Sequence, residues 1–401
     1  MFDLDHLLET IADRRVAARI STPVISKAIF GTVLCRLGSL NAVEQTRKCG
    51  FWRRWLGQAL PSADTLARVS ALTEYDQWRT GIGAVYRQLM RNKRFPRQFQ
   101  GLRAAVLDAH ESHCSYRRVC FGCLIREVSV KNRAGEEVKH EQYYHRNITI
   151  SIIGSRFDML LDSEPIFPGE DEVAAALRLL ERVLKRYPRA FDVVLGDALY
   201  TDSRFYNYLI DAGKYVLTVL KDERRHLFQD ALEMFATSAP RLIRQGNTQR
   251  LVWDLEGFGT WSQVTGFVRV IRSRETQTVR RQMTKQTEVI QREWVWVTTL
   301  PSAKIDTPTA VSLAHGRWNI ENRGFNELVS RWSADHVYKH DPVAILNLWL
   351  ATMLAHNIFM AFFHGNLKPE VRVRFTTLHV VRLMMAELYR QLRLTARPNP
   401  P

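Results

Sequence analysis

Two apolar runs, AAVLDAH at 104–110 and FDVVLGD at 191–197, each close on an aspartate, and this pairing constrains the fold more than any other feature of the chain. Short runs of this kind read as strands. Asp108 and Asp197 then sit at strand ends, and they lie side by side if the two strands pair in one sheet. A third acid, Glu321, falls in a helix-like stretch, HGRWNIENRGFNEL at 315–328. Two strand-end aspartates and a helical glutamate, far apart in sequence, fit a fold that gathers carboxylates around divalent cations.

The rest of the chain reads as layers around those strands. Residues 1–100 are helical, with apolar residues at helical spacing in SKAIFGTVLCRLGSLNAVEQ and EYDQWRTGIGAVYRQLM. Pro61 followed by Ser62 marks a stop and a helix cap, and SADTLARVSAL is the candidate DNA-reading helix, with ordinary bundle packing as its alternative. From Leu102 the period changes. LRAAVLDAH, CLIREVSVKN and YYHRNITISIIG read as three strands, the last two joined by a turn at Arg133-Ala134-Gly135, and consecutive strands with close turns suggest an antiparallel meander. A helix over 170–188 follows, with acids early and bases late. FDVVLGD is then a fourth strand, SRFYNYLIDAG a helix and KYVLTVLK a fifth strand. The order βββ–α–β–α–β is that of the ribonuclease H-like fold, a mixed α/β sheet flanked by helices. The expected segments are a helical region at 1–100 that serves DNA binding, the first part of the core at 101–230, a β-rich insertion at 231–300 and a helical completion at 301–395. TARPNPP, after Leu394, reads as a frayed tail.

Lys and Arg outnumber Asp and Glu by 57 to 41, a net charge of +16, and an excess of this size favours a polyanionic partner such as double-stranded DNA. Basic stretches recur at 91–103, Arg117-Arg118, 269–292 and the Arg-rich C-terminal helix. The run at 344–363 has nearly the length of a membrane span, but Asn347, His356 and Asn357 interrupt it, so it reads as a buried core helix and no membrane partner is expected. The acidic, amphipathic start of the chain does not resemble a secretory signal. An odd count of five cysteines argues against a disulfide framework, and a reducing cytoplasm beside the nucleoid fits.

Two-metal phosphoryl chemistry needs carboxylates that hold a pair of divalent cations, Mg²⁺ or Mn²⁺, roughly 3.5–4 Å apart. Asp108, Asp197 and Glu321 are the candidate ligands and catalytic residues. Taken singly, Asp197 also reads as a helix N-cap and Glu321 as an i,i+4 ion-pair partner of Arg317. Taken together in this fold, the three favour the metal site, with Glu111, Asp192 and Asp202 as nearby alternates. Arg317 is a sensible phosphate clamp. Trp318 and Tyr200 can stack on bases or serve as core aromatics.

With LDAHE around Asp108, GDALYTD around Asp197 and RWNIENRGFNEL followed by DHVYKHDPVAI, the chain resembles bacterial insertion-sequence transposases of the DDE type that carry a β-strand insertion before the glutamate. The resemblance runs from about residue 21 to 363. It implies cleavage at transposon-end inverted repeats, strand transfer into target DNA and at least a dimer in the synaptic complex. In the family's pattern around the glutamate, Arg317 and Glu321 match. Ala314 stands at the tyrosine position. The lysine position falls near Leu328-Val329, with Arg331 the nearest basic residue. Two other functions share these features: a nuclease of the same fold without strand transfer, and a catalytically silent DNA-binding derivative.

A separate group, His110, His113, Cys114, Cys120 and Cys123, crowds beside Asp108, with His140 and His145 on the next strand. Cys120-Phe121-Gly122-Cys123 has the spacing by which two thiolates grip one zinc. Cys114 with His113 or His140 are the candidates for the remaining ligands of a structural Zn²⁺, and small apolar hairpin residues are the alternative.

Overall fold

The computed structural model of the chain describes residues 2–131, 135–221, 225–318 and 320–389, apart from the side chains of residues 322, 323 and 387. Among the described residues, ten strands form one sheet: β1 Ala104–Ser115, β2 Leu124–Lys131, β3 Glu137–Ile153, β4 Met159–Pro165, β5 Val193–Gly196, β6 Tyr215–Val219, β7 Arg241–Gln245, β8 Thr248–Phe258, β9 Val268–Arg280 and β10 Thr287–Thr298. Their spatial order is β2-β3-β1-β5-β6-β10-β9-β8-β7, with β4 also on β3. The parallel strands β1, β5 and β6 lie at the centre. Their apolar runs are buried, as strands covered on both faces require. With helices against the sheet, the architecture is the mixed, ribonuclease H-like one that the order of elements predicts.

Three details differ from the sequence reading. The first hairpins are not a simple meander. β3 is long enough to pair with β1 along most of its length, and β2 lies outside it. The mostly exposed residues of β2 suit an edge position. The second difference is β4, which was not predicted and makes FDVVLGD the fifth strand in chain order. The third concerns the inserted strands, which extend the central sheet: β10 pairs directly with β6, Trp296 opposite Val219. The turn expected at Arg133-Ala134-Gly135 begins outside the described residues, as do residues 390–395 and the tail that follows.

Six helices precede the sheet: Leu4–Glu9, Thr22–Leu34, Leu40–Gln45, Gly50–Leu56, Ala63–Ser70 and Tyr75–Arg91. Ser62 caps the fifth, its Oγ accepting from the Thr65 N–H at 3.3 Å. That helix buries Leu66, Val69 and Ser70 and exposes Asp64 and Arg68. The apolar run at 344–363 forms most of one helix, Pro342–Gly365, and 83% of its most apolar window is buried inside the protein. Two of the polar residues that interrupt it, Asn347 and Asn357, are docking pins. Asn347 donates to the carbonyls of Ser70 and Thr73, both at 2.9 Å, and Asn357 accepts from the Leu160 N–H and donates to its carbonyl. One helix thus holds the N-terminal bundle and β4 together.

β4 places two acids, Asp162 and Glu164, in the interior. Buried carboxylates require partners, and arginines from two directions supply them. Arg79, from the helix Tyr75–Arg91, donates to Asp162 at 2.9 Å, to the Ser163 carbonyl at 2.9 Å and to Glu164 at 3.2 Å. Arg182 and Arg178, from the helix Glu172–Arg186, reach Asp162 and Glu164 at 2.7 Å each. The network joins the N-terminal bundle to the sheet. Removing one partner of a buried ion pair leaves an uncompensated charge, so Arg79→Ala is expected to destabilise the fold by about 3–5 kcal/mol. Urea denaturation checks this: an unchanged midpoint would show that the network does not hold the two parts together.

Candidate active site

β1 and β5 run parallel, with Val106 opposite Leu195 as their last registered pair. Two residues further along each strand stand Asp108 and Asp197. Asp197 therefore stands just past the end of β5, whereas Asp108 beside it lies within β1, which runs on to Ser115 and does not end at the aspartate as its apolar run suggests. Asp108 is nearly buried and accepts from the Ala109 N–H at 2.9 Å. Asp197 is half-buried and caps the short turn Ala198–Tyr200, accepting from the Leu199 N–H at 2.9 Å. Gly196 lets that turn fold back, since a Cβ there would stand 2.9 Å from the Tyr200 ring.

Glu321 enters from the far side of the insertion, on a single π-helical turn, Ile320–Phe325, that leads into the helix Asn326–Trp332. Such turns inside α-helices recur at functional sites. Arg317 connects the acids: its Nη1 lies 3.6 Å from Asp108 and 3.3 Å from Glu321. An aromatic stack fixes the turn against β1. The His110 ring, two residues beyond Asp108, is stacked on Phe325 at 4.9 Å and on Trp349 of the long helix at 5.6 Å. Burial pushes the His110 pKa down, so the ring sits there neutral.

Burial raises the Asp108 pKa to about 7, the Asp197 charge adds to the shift, and Arg317 offsets only part of it. A carboxylate in this position lacks sufficient positive charge around it. The donor set consists of hard carboxylate oxygens, which suit Mg²⁺ or Mn²⁺ over softer metals.

The other named residues divide. Trp318 is half-buried, with the Arg317 guanidinium 4.3 Å over its ring and its edge against Trp294. Tyr200 has no exposed face to offer a base. It is fully buried, and its hydroxyl donates to Glu172 at 2.7 Å, which corrects the expectation of a stacking role. Arg331 is exposed and donates to Thr377 at 2.8 Å. Ala314 and Leu328 are both buried. The alternate acids are occupied elsewhere: Glu111 takes a bidentate pair from Arg126, Asp192 accepts from Arg97 and the Arg103 N–H, and Asp202 caps the helix Ser203–Asp211.

A second cluster gathers residues of the turn between β1 and β2, of β3 and of the segment before the helix Pro342–Gly365. Cys120, Cys123, His145 and His340 bring their ligand atoms within 4.8 Å of one another. Two members of the expected set are absent from it. Cys114 is exposed, and His113 packs its ring edgewise on His340 at 5.4 Å without joining the four. His140 is likewise apart, against Tyr116. His145 was among the nearby histidines, but His340 was missed. It is 195 residues from His145 in sequence, and no local spacing reveals that connection.

A ribonuclease H-like sheet with acids converging from two central strands and a later helix defines a class of nucleic-acid phosphotransfer proteins. Residues 168–358 match the family model of the Transposase DDE domain. Asp197 and Glu321 fall inside the matched segment, and Asp108 precedes it on the strand paired with β5. No curated protein matches the chain.

The raised Asp108 pKa has a defined sign. The folded protein binds that proton more tightly than the unfolded chain, so ionising Asp108 costs stability as pH rises from about 4 to about 7, and the cost is complete above that. Asp108→Asn is therefore expected to stabilise the protein in chelator at pH 8 by roughly 1–4 kcal/mol, an advantage that fades toward pH 5. Thermal unfolding of both proteins across that range tests this. A difference independent of pH would mean that the carboxylate does not feel its neighbours.

Proposed function

We propose that the chain cleaves DNA at the ends of a mobile element and joins the freed 3′-hydroxyl to target DNA, with Asp108, Asp197 and Glu321 holding two divalent cations. The observation that carries this reading is the convergence of the acids: Asp108 within β1, Asp197 just past the end of the parallel strand β5 paired with it, and Glu321 bridged to Asp108 through Arg317. When bound, the ions activate the attacking oxygen and stabilise the leaving one. Asp108 contributes its part as the anion, which a neighbouring cation favours over the protonated form. Arg317 offsets part of the charge of Asp108 and Glu321 beforehand, and its planar fork of donors can turn to a phosphate once that charge is met otherwise. Trp318, supported from behind by Trp294, offers a partly open ring beside that phosphate. The net charge of +16 supplies non-specific affinity for the duplex. Synapsis of two ends requires at least two copies of the chain.

Asp108→Asn, Asp197→Asn and Glu321→Gln are each expected to lose Mg²⁺-dependent cleavage of end-sequence DNA by roughly 10³-fold, equivalent to several kcal/mol of transition-state stabilisation, while binding to those ends persists. Cleavage retained in the two aspartate variants would remove the assignment. Strand transfer of a pre-cleaved end into a second duplex separates a transposase from a nuclease of the same fold.

A further inference from the structure

We infer that Cys120, Cys123, His145 and His340 form a closed, tetrahedral zinc site that clamps the outer hairpin to the segment leading into the helix Pro342–Gly365. This inference stands apart from the catalytic reading, because none of the four is among the carboxylates or their contacts described above.

The geometry carries it. The two sulfurs are 3.6 Å apart, His145 Nε2 lies 3.3 Å from Cys120 Sγ and 3.4 Å from Cys123 Sγ, His340 Nε2 lies 3.2 Å from Cys123 Sγ, and the two nitrogens are 3.4 Å apart. An ion about 2.3 Å from each sulfur and about 2.0–2.1 Å from each nitrogen spaces tetrahedral ligands roughly 3.3–3.8 Å apart. Five of the six edges, at 3.2–3.6 Å, lie close to that figure, and the sixth, Cys120 Sγ to His340 Nε2, is within 4.8 Å. Two sulfurs with two imidazole nitrogens in this shape select zinc over Mg²⁺ or Ca²⁺. Four protein ligands leave no open position, which marks the site as structural.

The surroundings agree. The Cys120 N–H points at Cys123 Sγ at 3.2 Å, a donor placed for a thiolate. Gly122 brings the turn close to the helix start: a Cβ there would stand 2.9 Å from Pro342. The four ligands come from three places, namely the turn between β1 and β2, the middle of β3, and the residue before Asp341, which caps the long helix. The clamp therefore closes the chain between residues 145 and 340 and holds the segment that directly follows the helix Asn326–Trp332. Through that helix it bears on the turn carrying Glu321.

Metal analysis of the full-length protein, with cobalt(II) titration of the metal-stripped chain, tests the inference. The expected result is one zinc per chain and, with cobalt, the intense visible bands of tetrahedral coordination together with thiolate charge-transfer absorption. Cys120→Ser and His340→Ala should each weaken the cobalt affinity by at least about tenfold and alter the bands, while Cys114→Ser leaves both unchanged. Hydrogen exchange at 333–341 should quicken when zinc is removed. A wild-type chain that takes up cobalt without tetrahedral or charge-transfer bands would overturn the site, whatever the variants do. So would unchanged affinity in folded Cys120→Ser or His340→Ala.

Discussion

The parallel pairing of β1 with β5 is the constraint on which the rest depends. It places Asp108 beside Asp197 in a poorly solvated position, an arrangement that two carboxylates do not adopt without compensation. Around it the chain assembles what that arrangement needs: a buried apolar sheet to hold the strands, an arginine against the acids, and a third carboxylate on a turn returning from far along the sequence. Burial makes each charge matter more, so the position of Arg317 relative to Asp108 and Glu321 sets the electrostatics of the whole site.

The long helix Pro342–Gly365 transmits that constraint outward. It fixes the N-terminal bundle through Asn347 and β4 through Asn357, and it supplies Trp349 behind His110. The stack of Phe325, His110 and Trp349 therefore links three elements at one point: the turn with Glu321, the strand with Asp108 and the helix that organises the bundle. The three rings touch one another mutually, Phe325 also lying 6.5 Å from Trp349, so a shift of any one of them disturbs the other two.

Much of this was legible in the sequence for identifiable reasons. β5 and β6 are short apolar runs with sharp ends, and β1 begins as one before running on through polar residues to Ser115. The Arg317–Glu321 spacing announced an ion pair, and the pair is present at 3.3 Å. β4 was hidden because its sequence, MLLDSEP, carries two acids whose burial makes sense only with Arg79, Arg178 and Arg182 in place. Strand order was misread because the turns suggest neighbours in sequence, whereas the length of β3 decides which strand it reaches. Tyr200 follows Asp197 closely enough to look like part of the site, but the tight turn at Gly196 swings its ring inward. The partnership of His340 with a distant Cys-x-x-Cys turn is a property of the folded chain alone.

The inserted strands leave the core at the end of β6 and come back beside it, with Trp296 opposite Val219. The two ends of this excursion are pinned next to each other, and closing a longer loop between fixed ends costs only about 0.6 kcal/mol per doubling of its length. The outermost strands, β7 and β8, can thus change length at little entropic cost to the core. The seam between β6 and β10 is not a clean border, since Trp294 of β10 reaches across it to Trp318 and Glu275 of β9 to His315, so the freedom to diversify belongs to the strands farthest from β6.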